Sequence, residues 1–203
     1  MCIRDSYLAA AGVGRLGIVD PDTVSLSNLQ RQVLYGMADL DRVKVHVAAE
    51  RLAAINPHVV VNPLNLTLAN ENAAALVADH DLVLDGCDNF ETRFAVNAAC
   101  VAAGKPLVSG AIGRWTGQVG VFAGKPCYRC LVAEVPPDAE TCSAVGVVGA
   151  LAGVMGSMMA LEAVKLITGA GETLAGRLLI YDGLAGETRT VRIGADAACE
   201  VCS

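Results

Sequence analysis

Short apolar runs alternate with amphipathic helical stretches through the first half of this chain, and that alternation limits its fold more than anything else in the sequence. Leu16 to Val19, Val59 to Leu66 and Leu82 to Leu84 read as strands, and Leu107-Val108 begins another. Between them Tyr7 to Ala11, Asp41 to Ile55, Asn70 to Ala78 and Asn89 to Ala103 read as helices. In the second of these Val43, Val47, Leu52 and Ile55 recur at helical spacing, and Asn56-Pro57 ends it. Strand and helix in turn make an α/β fold, a mostly parallel sheet with helices on both faces. Beyond Gly117 the order changes to a strand (Gln118 to Phe122), a cysteine loop, a long helix (about Val145 to Ile167) and two closing strands. Those strands, Leu178 to Tyr181 and Glu187 to Ile193, are expected to pair antiparallel. With no internal repeat and no low-complexity linker in 203 residues, one domain with a C-terminal extension is the simplest account.

Composition removes several functions. The net charge is −6, Lys and Arg form no cluster and only 4% of residues are aromatic, which argues against a nucleic-acid partner. Ala144 to Leu161 is uncharged and imitates a membrane span, with Gly149 and Gly153 as a small-xxx-small pair. It runs on into Glu162 and Lys165 and is rich in glycine, so a buried helix is the expectation, with no membrane partner. The opening MCIRDS has charges and no apolar run, unlike a secretory signal. Eight cysteines without such a signal suggest a reducing, cytoplasmic setting, where paired cysteines bind metal more often than they form disulfides.

Cys127-Tyr128-Arg129-Cys130 and Cys199-Glu200-Val201-Cys202 are the most specific chemical signal. Two such turns supply four thiolates, the ligand set of a closed, structural tetrahedral zinc site. A redox role would need one such motif opening a helix. Among the remaining cysteines, Cys87 and Cys100 read as core filler. Cys142, in a polar loop before the long helix, reads equally well as a semi-buried thiol or as one activated by the helix dipole.

Gly12-Val-Gly-Arg-Leu-Gly17 spells a dinucleotide fingerprint, but a helix precedes it and a strand follows. The fingerprint needs the reverse order, because the helix N-terminus holds the pyrophosphate. These glycines are expected to end a helix and turn into a strand. A nicotinamide-dependent oxidoreductase, suggested only by this motif, needs an acidic residue about 20 positions after a true glycine loop, which this order of elements does not offer.

Asp20 ends one strand and Asp88 lies just past another. Carboxylates beyond strand ends in an open parallel sheet hold ribose hydroxyls or magnesium, although either residue suits a helix cap equally well. Asn28, Arg31, Gln32 and Lys44 follow Asp20 within one loop and helix start. Cations converging on a strand end suit a polyphosphate, and a solvated face fits the same pattern.

The run from Ile18 through Asp20-Pro-Asp-Thr-Val-Ser-Leu-Ser-Asn-Leu-Gln-Arg-Gln32, with Lys44, Asp85-Gly-Cys-Asp-Asn89, Arg93 and both cysteine pairs, resembles the ThiF/MoeB/HesA family, relatives of the ubiquitin-activating enzymes. The resemblance runs from about Tyr7 to the C-terminus and implies a Rossmann-like sheet. It also implies an ATP- and magnesium-dependent adenylyltransferase that joins AMP to the C-terminal Gly-Gly carboxylate of a small β-grasp sulfur carrier and releases pyrophosphate. Asp20 would contact the ribose, and Arg31 and Lys44 would neutralise the phosphates. Asn28 and Gln32 would shape that pocket, Asp88 would hold magnesium, and Arg93 would orient the site, a surface ion pair being the other reading for it. Such an attack needs no general base, since the carboxylate is already ionised at pH 7, and His46, His58 and His80 are expected to be exposed. The resemblance further implies a homodimer and, in the thiamine branch, a sulfur-transfer role for a cysteine matching Cys142. Glu140-Thr-Cys-Ser143 resembles the molybdopterin branch, and Gly146-Val-Val-Gly149 and Gly153-Val-Met-Gly156 also resemble the thiamine branch. The family's first strand, glycine loop and helix start have no counterpart here, and residues 1–6 match nothing in it. The sequence therefore predicts a family domain over 7–203 with an exposed sheet edge and reduced activity. A zinc-stabilised module that binds the carrier without chemistry is the alternative.

Overall fold

The computed structural model describes residues 2–135 and 146–203. Its first helix, α1 (Cys2–Ala10), runs without a break through residues 2–6 and packs Ile3 against Gly153 and Gly156 of the long C-terminal helix. The helix closes where the Val13 N–H donates to the Leu8 carbonyl and Gly12 takes φ +81°, a left-handed turn that glycine reaches without strain. The chain then enters β1 (Arg15–Val19), so Gly12–Gly17 does end a helix and start a strand.

A long loop leads to α2 (Lys44–Ile55), which returns to β2 (Val60–Leu64), parallel to β1 with Arg15 opposite Val60. Then α3 (Asn70–Ala78), β3 (Val83–Asp85) and α4 (Phe90–Ala103) follow, and β4 (Leu107–Ile112) pairs parallel with β3. β5 (Thr116–Phe122) pairs antiparallel with β4, β6 (Arg177–Asp182) with β5, and β7 (Glu187–Arg192) with β6. A four-residue turn of helix, α5 (Tyr128–Leu131), and the long α6 (Gly149–Thr168) separate β5 from β6.

Adjacent residues of one strand reach opposite cores, as the two-residue period of a strand requires. Leu107 and Phe122 join Ala73, Val77, Val96 and Tyr128 on the α3–α4 face. Val108, Val119 and Val121 join Leu151, Met155 and Met159 of α6 on the other face. A sheet covered on both sides explains why these strands read as continuous apolar runs. The span-like helix is accordingly a packed core element, with eight buried residues between Leu151 and Ala163. Its N-terminal glycine has a local reason: a Cβ on Gly149 would stand 1.9 Å from the carbonyl oxygen of Gln30.

The strands do not form one sheet. β1 and β2 make a two-stranded piece, and β3-β4-β5-β6-β7 make a separate five-stranded one. Among the described residues β1 pairs only with β2, and β3 only with β4.

Candidate functional site

The loop from Asp20 to Val43 folds back on itself before α2 begins. Thr23 and Val43 form an antiparallel bridge, the Val24 N–H donates to the Arg42 carbonyl, and Val24 is completely buried. Asp39 pins the second half of the loop: it accepts from the Gly36 N–H at 2.9 Å and pairs with Arg42 and Arg51 at 3.2 and 3.0 Å. Those donors, the Gly36 N–H first, hold its carboxyl below the usual range.

Closing the loop brings Lys44, the first residue of α2, to the strand end. Its side chain is only 4% exposed, with Nζ 2.8 Å from Asp22 and 4.0 Å from Asp20. Asp20 also accepts from the Asp22 N–H at 2.9 Å. Burial pushes the Asp20 carboxyl up, and that N–H and the Lys44 charge oppose the shift. Arg31 donates from Nη1 to the Ser27 carbonyl at 3.1 Å, and Asn28 donates to Ser27 Oγ at 3.2 Å. Gln32 Oε1 is buried with no hydrogen-bond partner among the described residues.

The second strand end has a buried centre in which Arg93 pairs with Asp85, a partnership the sequence did not mark. The Arg93 guanidinium, on the first turn of α4, donates to Asp85 at 3.1 Å, to Ser109 Oγ at 2.9 Å and to the Gly110 carbonyl at 2.8 Å. It also donates to the Cys87 carbonyl, so it ties the turn after β3 to β4. Its carbon lies 5.9 Å from the centre of the Tyr128 ring. Of the two readings open for Arg93, a surface ion pair is the one the structure overturns, since Asp85 and Arg93 are both buried. Asp88 projects from this braced turn, exposed and without a hydrogen-bond partner among the described residues. It does not cap α4; Asn89 does, accepting from the Thr92 N–H at 2.8 Å.

Asp20, Asn28, Arg31, Gln32, Lys44 and Asp88 all line one cavity of about 1220 Å³, together with Asp85 and Arg93. The structure thus brings together every residue expected to bind nucleotide. Cys142 lies outside the described residues. His46 and His58 are exposed as expected, whereas His80 is half-buried, with its ring against Gly17 and Nδ1 2.8 Å from the Leu76 carbonyl oxygen. Cys100 is buried and Cys87 half-buried, and burial pushes both thiols up to about 12, which suits inert filler.

The four cysteines of the two Cys-x-x-Cys turns, 72 residues apart, meet. The sulfurs of Cys127, Cys130, Cys199 and Cys202 all lie within 4.8 Å of one another, with Cys127–Cys199 at 3.7 Å and Cys130–Cys202 at 3.5 Å. A tetrahedral metal with bonds of ~2.3 Å needs sulfur–sulfur edges of roughly 3.8 Å, so the cluster could hold a metal ion. Asn97 supports it from α4, donating to Cys127 Sγ at 3.5 Å and accepting from the Tyr128 N–H at 2.8 Å. The Val201 N–H holds the Cys199 thiol down at about 7, while burial pushes Cys202 up to about 12. A bound cation would hold both as thiolates.

The family model described as "ThiF family" matches residues 2–201. The chain belongs to the ThiF family. It is 46% identical over 204 residues to a molybdopterin-synthase adenylyltransferase of Escherichia coli strain K12, covering 99% of this chain and 82% of that protein. It is 47% identical over 205 residues to a sulfur carrier protein adenylyltransferase of Thermus thermophilus, covering 97% and 76%. Among solved structures, the E. coli MccB complex with MccA-N7isoASN superposes with a TM-score of 0.87 at 20% identity, covering 99% of this chain and 64% of that one. That last likeness concerns the fold, and the chain spans less than two thirds of that neighbour's length.

Proposed function

We propose that this ThiF-family chain is an adenylyltransferase that transfers AMP from ATP to the C-terminal Gly-Gly carboxylate of a small β-grasp sulfur carrier. One observation carries the reading. Two strand ends, one bearing Asp20, Arg31 and Lys44 and the other Asp88, open into the same cavity. A carboxylate approaching a polyphosphate is repelled by it, so the site must supply cations and positioning. Lys44 is held in place by Asp22, and Arg31, anchored through Nη1 alone, keeps its remaining donors for phosphate oxygens. The unpartnered Gln32 Oε1 needs a donor, which a ligand N–H or hydroxyl provides. Asp20 is suited to the ribose hydroxyls.

The carrier's terminal carboxylate oxygen attacks the α-phosphorus, forming the acyl–phosphate bond as the bond to the β-phosphate oxygen breaks and pyrophosphate leaves. Asp88 would hold magnesium, which when bound neutralises charge on the phosphates. Arg93 acts on Asp88 indirectly, by fixing the Cys87 and Gly110 carbonyls around its turn.

We further propose that the metal is zinc, that the site is structural, and that the chain works as a homodimer in the cytoplasm. Four thiols with no open ligand position support zinc. Exposed Leu26, Val33 and Met37 on the 20–43 loop support a protein partner there. The relatives' names favour the molybdopterin branch over the thiamine branch, and the family domain takes in everything from Tyr7 onward.

The test is exchange of labelled pyrophosphate into ATP with a Gly-Gly-ending carrier present. Exchange is expected, falling about 10²–10³-fold in Asp88→Ala or Arg31→Ala. Carrier binding by titration with no exchange and no acyl-adenylate by mass spectrometry would replace this reading with a non-catalytic, metal-stabilised binding module.

A further inference from the structure

The last two strands of the five-stranded sheet each carry an arginine at the same level. Arg177 opens β6 and Arg192 closes β7, and the register places them directly opposite each other. One residue beyond the pair on each strand, the Ile193 N–H donates to the Gly176 carbonyl at 2.9 Å. That pattern makes Arg177 and Arg192 a non-hydrogen-bonded pair, the position at which opposite side chains stand closest. Directly opposite residues share one face of a sheet, and two like charges there work against the fold.

Lys125, in the loop that leads to Cys127, lines the same hollow of about 420 Å³ as the two arginines. Pro126, Ala175 and Ile193 give it apolar walls, and no acidic residue is among the described residues that line it. Arg177 is held through Nη2, which donates to the Thr173 carbonyl at 2.5 Å and lies 3.7 Å from Glu172. Glu172 is 89% exposed, so that pairing is worth little. The Lys125 and Arg192 side chains have no ion-pair partner among the described residues. The hollow shares no lining residue with the nucleotide cavity.

We propose that this hollow binds a phosphate-type oxyanion, with Arg177 and Arg192 donating from the two strands and Lys125 from the loop. Charge sets the class, since three cations and no lining carboxylate call for a ligand with at least two negative charges. Shape narrows it. Each guanidinium presents a planar fork of donors, and a carboxylate, with two oxygens, fills one fork. A tetrahedral anion with three or more free oxygens accepts from both forks and from the ammonium together. The anion also offsets the cross-strand repulsion, so the pair that costs stability without a ligand becomes the pair that holds it. The inference concerns this hollow alone and does not depend on adenylylation.

The test adds inorganic phosphate, pyrophosphate or phosphoserine to the full chain in low-salt buffer free of other oxyanions. The probe that binds tightest tells a free anion from a phosphate ester. Binding is read by amide hydrogen exchange with mass spectrometry and by the thermal midpoint. Exchange in residues 175–178 and 190–193 is expected to slow, and the midpoint to climb, as anion is added. Arg192→Gln is expected to weaken binding at least about tenfold through the lost charge-assisted bonds. Its midpoint without anion should equal or exceed the parent's, because the repulsion is gone. Arg192→Lys keeps the charge and loses the fork, so it should fall between the two. Arg189, three residues earlier and so on the other face of β7, is the control for net charge. Arg189→Gln should bind the anion as the parent does, and an equal loss there would mean attraction to net charge alone and overturn the proposal. So would parental affinity in Arg192→Gln, or the lack of any protection in 175–178 and 190–193.

Discussion

Replacing Arg93 with methionine removes the guanidinium that braces the Asp88 turn while leaving an unbranched side chain in its place. The loss can be worked from the contacts. Asp85, whose side chain is 1% exposed, keeps the Cys87 N–H at 2.8 Å and the Ser109 hydroxyl at 3.2 Å but loses the guanidinium it pairs with at 3.1 Å. The Cys87 and Gly110 carbonyls lose a charged donor each. Breaking one partner of a buried pair costs about 3–5 kcal/mol, and both partners here are buried, so no allowance for solvent screening applies. With a urea m-value of about 2–3 kcal/mol/M, the midpoint should fall by roughly 1–2 M. The assay is urea unfolding followed by far-ultraviolet circular dichroism. Much of that loss comes from the stranded carboxylate, so the double variant Asp85→Asn, Arg93→Met should recover about 1–3 kcal/mol relative to the sum of the single losses. In folded Arg93→Met, the magnesium concentration for half-maximal exchange should rise more than the saturated rate falls, because Asp88 is displaced rather than removed. A single-variant loss under about 1 kcal/mol, or a double variant equal to the sum of the singles, would refute the reasoning.

Elemental analysis of protein purified under reducing conditions should find one zinc per chain, and Cys199→Ser or Cys127→Ser should lose it together with most of the folded-state stability; well under one zinc in the parent would rule out the metal site. Gly149→Ala should drive the Gln30 segment off the start of α6 at a cost of about 1–3 kcal/mol and weaken ATP binding, whereas Gly194→Ala, with no atom near its missing Cβ, should leave ATP affinity unchanged. Asp39 is held below its usual range in the fold, so its contribution is present above an unfolded value of about 3.9 and fades as pH falls through the folded value. The stability gap between the parent and Asp39→Asn should therefore be widest near neutrality and close as pH falls below about 4, and a gap independent of pH would contradict that origin.

Much of the fold was legible because its signals are local. Helical spacing from Val43 to Ile55 needs no knowledge of what α2 packs against, and Asn56-Pro57 ends it wherever it lies. The order of helix, glycine and strand at Gly12 to Gly17 likewise follows from the neighbouring residues alone, and it excluded the dinucleotide reading before any tertiary contact was known. The residues expected at the nucleotide site came from a resemblance, and the fold gathers them because Thr23 bridges Val43 and delivers Lys44 to the strand end. Nothing local marked Asp85 and Arg93 as partners. Asp85 sat inside a recognised motif as its first letter, and its partner Ser109 is more than twenty residues away.

The sequence by itself thus determined the element order, the paired cysteine turns and the identity of the polar residues at the two strand ends, because each is written in spacing over a few residues. Only the tertiary structure decided which elements meet. It brought four sulfurs from turns 72 residues apart within 4.8 Å, buried a span-like helix in the core, and turned an arginine with two possible roles into the brace of a turn. It also divided the expected single sheet in two. Strand neighbours are chosen by backbone pairing and packing between remote segments, and no periodicity within one segment carries that information.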